Sequence, residues 1–152
     1  MKYLLSTLLV LFLFASCSKE NNATVDYVSK NELEIKDYIA KNSLTAQRTN
    51  TGLYYVITNP GTGTNPTATS NVTVAYKGYF TNGSVFDESS AAGIAFGLNQ
   101  VIKGWTEGIT YFKPGGSGKL LIPAHLGYGS YNYNGIPGGS VLIFDIKLIS
   151  VN

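Results

Sequence analysis

The chain has 152 residues, and its eleven Lys and Arg against nine Asp and Glu leave it close to neutral, with a formal net charge of +2. The basic residues are scattered rather than grouped in a stripe, which argues against a nucleic-acid partner. A single Cys excludes an intramolecular disulfide, and the length suffices for one domain with a hydrophobic core plus a short appendage.

Residues 1–16 have the pattern of a secretory signal peptide. Lys2 precedes an apolar run at residues 4–14, and small residues follow that run. The run is too short to cross a bilayer comfortably, and signal peptides are cleaved after small residues of this kind. We therefore expect residues 1–16 to be removed and the mature protein to be exported to the cell envelope.

Cys17 is the only cysteine, and it follows this signal directly. Residues 13–17, LFASC, resemble a bacterial lipobox, in which the cysteine becomes the lipidated first residue of the mature protein. We expect lipidation at Cys17 to anchor an outer-membrane lipoprotein, on its periplasmic or surface face, without a membrane span. Residues 17–28 would then form a lipid-anchored flexible tether. The alternative is an ordinary secreted protein with one free thiol.

The next segment, residues 29–48, lacks glycine and predicts an amphipathic helix. Ser29 and Glu32 have the spacing of a capping box, and Ile35 recurs with other apolar residues near the helical period. We expect a helix over residues 30–41 and interpret this N-terminal helical extension as a spacer. The alternatives are that the helix packs on the domain or that it mediates dimerisation.

Residues 49–152 have the composition of a β-rich domain, because all seventeen glycines lie here, between short β-branched and aromatic runs. We expect an antiparallel sheet of about five strands and one short helix over residues 103–111, with Trp105 and Ile109 on one face. Such a sheet buries its core only if it curls strongly around that helix, so the predicted fold class is α+β. The predicted strands are residues 53–58, 72–80, 94–98, 117–122 and 141–151.

Several chemistries are excluded by what the chain lacks. His125 is the only histidine, and the domain has neither a cysteine to join it at a metal ion nor a Gly-x-Ser-x-Gly elbow. We therefore expect no metal and no cofactor, and we interpret His125 as a surface residue. The glycines of residues 115–118 follow a proline and enter a predicted strand, so they predict a turn rather than a phosphate loop.

A large set of aromatic side chains remains in the domain, supported by the aliphatic Val101, Ile102 and Ile136. Sequence periodicity alone leaves open whether these rings form a core or line a pocket. The set comprises Tyr76, Tyr79, Phe80, Phe86, Phe96, Trp105, Tyr128 and Phe144.

These side chains belong to a series of short motifs. The series is VAYKG at residues 74–78, NGSVFDES at 82–89, FGL at 96–98, VIKGWTEG at 101–108, LIP at 121–123, LGYG at 126–129, GIP at 135–137 and LIFD at 142–145. In this order the motifs resemble FKBP-type peptidyl-prolyl cis-trans isomerases over residues 52–151. The resemblance implies a strongly curved antiparallel sheet wrapped around one short helix, with a ligand cavity between them.

The resemblance also implies roles for individual residues. Trp105 would form the floor against which a prolyl ring packs. Tyr128 and the backbone N–H of Ile102 would donate hydrogen bonds to carbonyl groups of the peptide, and Asp87 would face the rotating amide from the rim. The residues expected in catalysis are Asp87, Tyr128, Phe86 and Ile102, and those expected to bind substrate are Tyr76, Ile94, Val101, Trp105, Ile136 and Phe144.

Three positions depart from the family pattern: Ile94 replaces an aromatic residue, Gly138 replaces a second proline, and Phe112 replaces a methionine. The implied activity is cis/trans isomerisation of X-Pro bonds in proline-containing peptides or unfolded exported proteins. It would need no cofactor, and the macrolide inhibitors of the family would be candidate ligands.

The residues leave two other functions open. One is a non-catalytic lipoprotein module that binds peptides as a chaperone does. The other is a surface domain that binds carbohydrate or a protein partner through the tyrosines of residues 129–134, which would otherwise form a flap of the cavity.

Overall fold

The computed structural model describes residues 26–152 of the chain. The predicted signal peptide, Cys17 and the tether up to residue 25 lie outside the described residues. Within residues 26–152, no helix combines the length and hydropathy that a membrane span requires. The elements are helices α1 (Tyr27–Lys41) and α2 (Lys103–Gly108) and strands β1 (Gln47–Arg48), β2 (Tyr54–Asn59), β3 (Asn71–Tyr79), β4 (Val85–Glu88), β5 (Ile94–Gly97), β6 (Ser117–Ile122) and β7 (Leu142–Val151).

The seven strands form one antiparallel sheet in the order β1-β2-β6-β7-β3-β4, and β5 pairs with β3 off this path. β5 pairs with the first half of β3 and β4 with its second half, so two short strands share one edge. The five predicted strands correspond to β2, β3, β5, β6 and β7, and the α+β class is confirmed. The prediction missed β1, because a strand of two residues carries too little alternation to be recognised, and it also missed the four-residue β4.

Helix α1 begins earlier than the sequence predicted. Asp26 is its N-cap, and the Asp26 carboxylate accepts hydrogen bonds from the backbone N–H of Val28 at 3.0 Å and of Ser29 at 3.2 Å. The predicted capping box is wrong, since the Ser29 hydroxyl donates to Asp26 and Glu32 accepts from a tyrosine of β2. Because a carboxylate satisfies the free N–H groups one turn earlier, the helix includes residues 27–28 of the predicted tether.

Helix α2 and the main hydrophobic core lie on one face of the sheet, here called the inner face. A Cβ atom added at Gly104 would lie 2.5 Å from a side chain of β6, and one added at Gly108 would lie 2.6 Å from another. Both glycines therefore allow α2 to approach β6 closely. The approach buries Trp105 between the helix and the sheet. The helix predicted over residues 103–111 is α2 followed by a 3₁₀ turn at Ile109–Tyr111.

Helix α1 covers the opposite face of the sheet, here called the outer face. Neighbouring residues of a strand point to opposite faces, so the apolar outer residues need a cover of their own. The helix therefore packs on the domain, as one alternative proposed, and the interpretation of this helix as a spacer is corrected. Its fully buried Ile35 lies in a second hydrophobic cluster with Tyr54, Leu121, Val141 and Ile143.

Truncating Ile35 to Ala should destabilise the domain by about 2–5 kcal/mol, because a fully buried side chain would leave a cavity under α1. The measurement is the free energy of unfolding in denaturant, followed by the fluorescence of Trp105, the only tryptophan. Leu33→Ala is the matched control: Leu33 is 69% exposed on the same helix, and its loss should change stability by less than about 0.5 kcal/mol. Equal stabilities of the two variants would contradict the packing role of α1.

Candidate active site

A cavity of about 870 Å³ opens beside α2 on the inner face of the sheet. Strands β3, β4, β5 and β7, helix α2 and the loop after β6 contribute its lining. All the residues that the sequence predicted for the site are brought together in this lining. They are Tyr76, Phe86, Asp87, Ile94, Val101, Ile102, Trp105, Tyr128, Ile136 and Phe144.

Trp105 forms the floor of the cavity and is only 5% exposed. Tyr76 and Phe144 meet its indole edge-on, with ring centroids 5.0 and 5.1 Å away. Phe96 packs against the indole at 5.3 Å, and together the three rings fix its orientation. The indole Nε1–H is the one buried side-chain polar atom without a hydrogen-bond partner within residues 26–152. The floor is therefore an aromatic surface with an unused donor.

Phe86 and Phe144 form a wall of the cavity. Phe86 meets Phe144 edge-on at 5.5 Å and packs on its other side against Phe80 at 5.0 Å. Both wall rings lie over Gly78 of β3, which pairs with β4 on one side and β7 on the other. A Cβ atom at Gly78 would lie 2.7 Å from each ring. The absence of a side chain on β3 is therefore what lets the two rings meet.

Asp87 is exposed at the rim and is the one charged side chain of the lining. The hydroxyl of Tyr76 donates a hydrogen bond to Asp87 Oδ2 at 2.6 Å, across the paired strands β3 and β4. Burial, and then this hydrogen bond, raise the pKa of Tyr76 well above its ordinary value of 10.0. The phenol therefore stays protonated at neutral pH and remains a donor to the carboxylate.

Ile102 provides a backbone donor at the edge of the cavity. It precedes α2, and its carbonyl accepts hydrogen bonds from the N–H groups of Trp105 at 2.9 Å and Thr106 at 3.1 Å. The N–H of Ile102 itself has no acceptor in the part of the chain that the structure describes. This N–H is therefore available to a ligand.

The loop at residues 125–138, here called the flap, borders the cavity. Tyr133 and Ile136 exchange both backbone hydrogen bonds, at 2.9 and 2.8 Å. The two residues between them, Asn134 and Gly135, have φ values of 44° and 84°. Two successive residues in the left-handed region make the tight hairpin turn for which Asn-Gly is the preferred sequence. This turn places Tyr133, Asn134 and Ile136 in the lining.

Tyr128 of the flap carries a second free donor. Its ring stacks on Tyr133, with centroids 4.7 Å apart and planes 11° from parallel. Burial raises the pKa of Tyr128 above its ordinary value, so its hydroxyl is protonated at neutral pH. This hydroxyl makes no hydrogen bond within residues 26–152, so it is free to donate to a ligand.

Sequence reasoning assigned no site role to Phe96, Gln100 and Gly127, which line the cavity, and it expected Tyr133 and Asn134 only as part of a flap. The Asn-Gly pair at residues 134–135 is a hairpin signal that could have predicted the tight turn of this flap. Nothing in the sequence marks Gln100. Tyr131, by contrast, is 86% exposed and is not part of the lining.

The three departures from the family pattern have separate places. Ile94 is 48% exposed at the cavity, whereas Phe112 is fully buried in the main core. Gly138 donates its N–H to Asn132 Oδ1 at 2.9 Å, and a Cβ atom there would lie 2.1 Å from the Ser130 carbonyl oxygen. Proline has no N–H to donate and carries a ring, so glycine matches this flap.

His125 lies outside the cavity lining and is exposed, as expected for a surface residue. Its Nε2 lies 2.9 Å from the carbonyl oxygen of Thr51. Within residues 26–152, no three His, Cys, Asp or Glu side chains are grouped as ligands for a metal ion. The chemistry available in the cavity is therefore that of aromatic surfaces, hydrogen-bond donors and one carboxylate.

Known proteins are similar to this chain in sequence. Residues 62–149 match the family described as FKBP-type peptidyl-prolyl cis-trans isomerase. The FkpA isomerase of Buchnera aphidicola subsp. Schizaphis graminum is 47% identical over 107 residues, or 68% of this chain and 42% of that protein. FkpA of Escherichia coli strain K12 is 40% identical over 125 residues, or 80% of this chain and 46% of that protein. The chain spans about half the length of the curated relatives it matches.

Solved structures share the fold. The crystal structure of Escherichia coli FkpA has a TM-score of 0.73 at 38% identity, covering 82% of this chain and 61% of that one. The crystal structure of a peptidyl-prolyl cis-trans isomerase from Pseudomonas syringae pv. tomato has a TM-score of 0.74 at 29% identity, covering 83% of this chain and 93% of that one. Because the family match covers more than half of the chain and includes the cavity, this chain belongs to the family of FKBP-type peptidyl-prolyl cis-trans isomerases.

Proposed function

We propose that this chain accelerates rotation about X-Pro bonds in proline-containing peptides or unfolded proteins. The observation that carries the proposal is the cavity, in which free donors at Ile102 and Tyr128 border an indole floor. A prolyl ring is an apolar group that can pack flat on an indole, and the carbonyl groups beside it are acceptors. Membership of the isomerase family supports the same activity.

Rotation about an X-Pro bond breaks no covalent bond. Amide resonance imposes a barrier of about 18–20 kcal/mol, so uncatalysed exchange takes tens to hundreds of seconds. A reaction in milliseconds requires about 10⁵-fold acceleration, which corresponds to an activation free energy lowered by about 7 kcal/mol. The contacts must therefore be stronger with the twisted imide than with either planar form.

The aromatic lining would supply part of this difference. A planar amide is more charge-separated than a twisted one, so water stabilises the planar form more. Transfer of the imide into a cavity walled by Phe86, Phe144 and Tyr76 removes that water and favours the twisted form. A prolyl ring held on Trp105 would stay fixed while the preceding residue turns.

The free donors would hold the peptide on either side of the rotating bond. The N–H of Ile102 and the hydroxyl of Tyr128 would each bind a carbonyl oxygen, so that rotation is confined to the imide. Val101, Ile94 and Ile136 would contact the flanking side chains. Asp87 would act through its charge at the rim or by ordering β4, and its hydrogen bond from Tyr76 supports the ordering role.

The proposed setting is the cell envelope. The apolar run at residues 4–14 supports export, and the run at residues 13–17 supports lipidation of Cys17 and attachment to the outer membrane. Residues 17–25 would then tether the domain, and its substrates would be unfolded exported proteins. A cavity of about 870 Å³ also has room for the macrolide inhibitors of the family.

A peptide-binding module without turnover is the alternative function. The free hydroxyl of Tyr128 and the fixed indole favour the enzyme, because a module that only holds peptides needs no contact matched to a twisted bond. Proline-limited refolding of a substrate protein separates the two. Binding that quenches Trp105 fluorescence without any acceleration of refolding would support the module and overturn the isomerase.

Replacing Phe86 by Ala should lower kcat/KM at least about tenfold, because the wall that excludes water and positions the prolyl ring is lost. The measurement is proline-limited refolding catalysed by the full chain. Val85→Ala is the control, since Val85 is the preceding residue of β4, is 46% exposed and does not line the cavity. If the Phe86 variant is folded by circular dichroism and turns over normally, the cavity is not the catalytic site.

The value of kcat/KM should change less than about twofold between pH 6 and 8, because carboxyl groups and phenols ordinarily titrate near pH 4 and pH 10. The titratable side chains of the lining are Asp87 and three tyrosines, and burial raises the pKa of Tyr76 and Tyr128 further. A peptide-isomerisation assay across this range checks the profile. A bell-shaped dependence would point to general acid-base catalysis and against rotation by contacts alone.

A further inference from the structure

We infer that Asn31, on the helix that covers the outer face, is a positioning residue that sets the geometry of the flap and thereby the binding of the peptide. The inference rests on the proposed isomerase function. Helix α1 contributes no residue to the cavity lining, so Asn31 acts through the flap backbone.

Asn31 is the one fully buried polar side chain within residues 26–152. Its Nδ2 donates a hydrogen bond to the carbonyl oxygen of Gly139 at 2.9 Å, and its Oδ1 accepts one from the N–H of Ala124 at 2.8 Å. Both ends of the amide are thus bonded to backbone. A buried amide is stabilising only when it is paired in this way, so its placement is specific.

The two residues that Asn31 binds, Ala124 and Gly139, flank the flap and are here called its root. The hydrogen bonds at this root form a closed ring. The N–H of Gly129 donates to the carbonyl of Ala124 at 2.8 Å, and the N–H of Gly139 donates to the carbonyl of Gly129 at 2.8 Å. Asn31 bonds to the N–H of Ala124 and to the carbonyl of Gly139, and so closes a cycle of four residues. The cycle fixes Gly129 directly, and Gly129 is the neighbour of Tyr128.

Helix α1 also shields this root from water. Gly139 has a φ of 76°, and a Cβ atom there would lie 1.8 Å from the ring of Tyr27. The ring therefore packs directly on the glycine backbone, next to the hydrogen bond from Asn31. One turn further along α1, Glu34 accepts a hydrogen bond from the hydroxyl of Thr81 in the turn between β3 and β4, at 2.6 Å.

Without the Asn31 side chain, the N–H of Ala124 and the carbonyl of Gly139 would both be buried without a partner. The root would open to admit water, and the flap would gain freedom as a local unit. Tyr128 and Ile136 would then be displaced, while Trp105 on α2 would keep its packing. We therefore expect the flap to bind the peptide less well, while the packing of the peptide on Trp105 is retained.

The test compares Asn31→Ala with Ile35→Ala in the full chain. Asn31→Ala should speed amide hydrogen exchange at Gly129, Tyr133 and Ile136 and lower kcat/KM about 10- to 100-fold, since a displacement near 1 Å can lower the rate by about 100-fold. Ile35→Ala destabilises the same helix but leaves the ring of hydrogen bonds intact, so it should keep both values near wild type while the protein is folded. Unchanged flap exchange in the Asn31 variant, or equal loss of activity in both, would overturn the inference.

A second variant tests the bond to Gly139 itself. In Asn31→Asp, a protonated carboxyl group can donate to Gly139 and accept from Ala124, whereas the ionised group cannot donate. Burial raises the pKa of such a carboxyl group. The ratio of kcat/KM between variant and wild type should therefore be higher at pH 5 than at pH 9. A ratio that stays the same would overturn the assignment.

Failure of the proposed function gives a different result. If the wild-type chain does not accelerate X-Pro rotation, the isomerase proposal fails by itself. Hydrogen exchange of the flap in Asn31→Ala then still shows whether Asn31 sets the flap geometry, because exchange does not depend on turnover.

Discussion

The inner face of the sheet is larger than the single helix that packs on it, and the cavity follows from this mismatch. Helix α2 has six residues, which at about 1.5 Å per residue gives a length of about 9 Å. Strand β7 has ten residues, which at about 3.3 Å per residue gives a length of about 33 Å. The close approach at Gly104 and Gly108 draws the helix onto β6 and leaves the surface over β3 and β4 uncovered. Aromatic rings cover that surface incompletely, and the space between them is the site.

The outer face of the sheet, by contrast, is covered by a fifteen-residue helix. Ile35 fills the apolar part of that contact, and Asn31 meets the backbone where the flap leaves the sheet. The contact of Asn31 therefore links helix α1 to the flap, which is far from it in sequence. The geometry of the flap thus depends on a segment that precedes the family match at residues 62–149. A domain limited to the matched residues would lack the cover of its outer face.

The long elements could be predicted from the sequence because their patterns are long. Strands β3 and β7 alternate over nine and ten residues, whereas β1 has only two. The start of α1 was missed because Asp26 and Ser29 are both good caps, and the tertiary contacts of Glu32 decide between them. The packing of α1 could not be predicted, because an amphipathic helix does not specify which surface it covers. The order of the motifs predicted the members of the site, but the distances between those members required the fold.

The treatment of polar groups differs between the two faces. At the root of the flap, the buried amide of Asn31 uses its donor and its acceptor on backbone. At the cavity, the indole N–H of Trp105 and the backbone N–H of Ile102 have no partner within residues 26–152. A buried donor without a partner destabilises the free protein, as the indole N–H of Trp105 does here. Under the proposed function, a carbonyl oxygen of the ligand would accept from the N–H of Ile102, a hydrogen bond that an aliphatic ligand of the same size lacks. A proline-containing peptide would be a ligand of this kind.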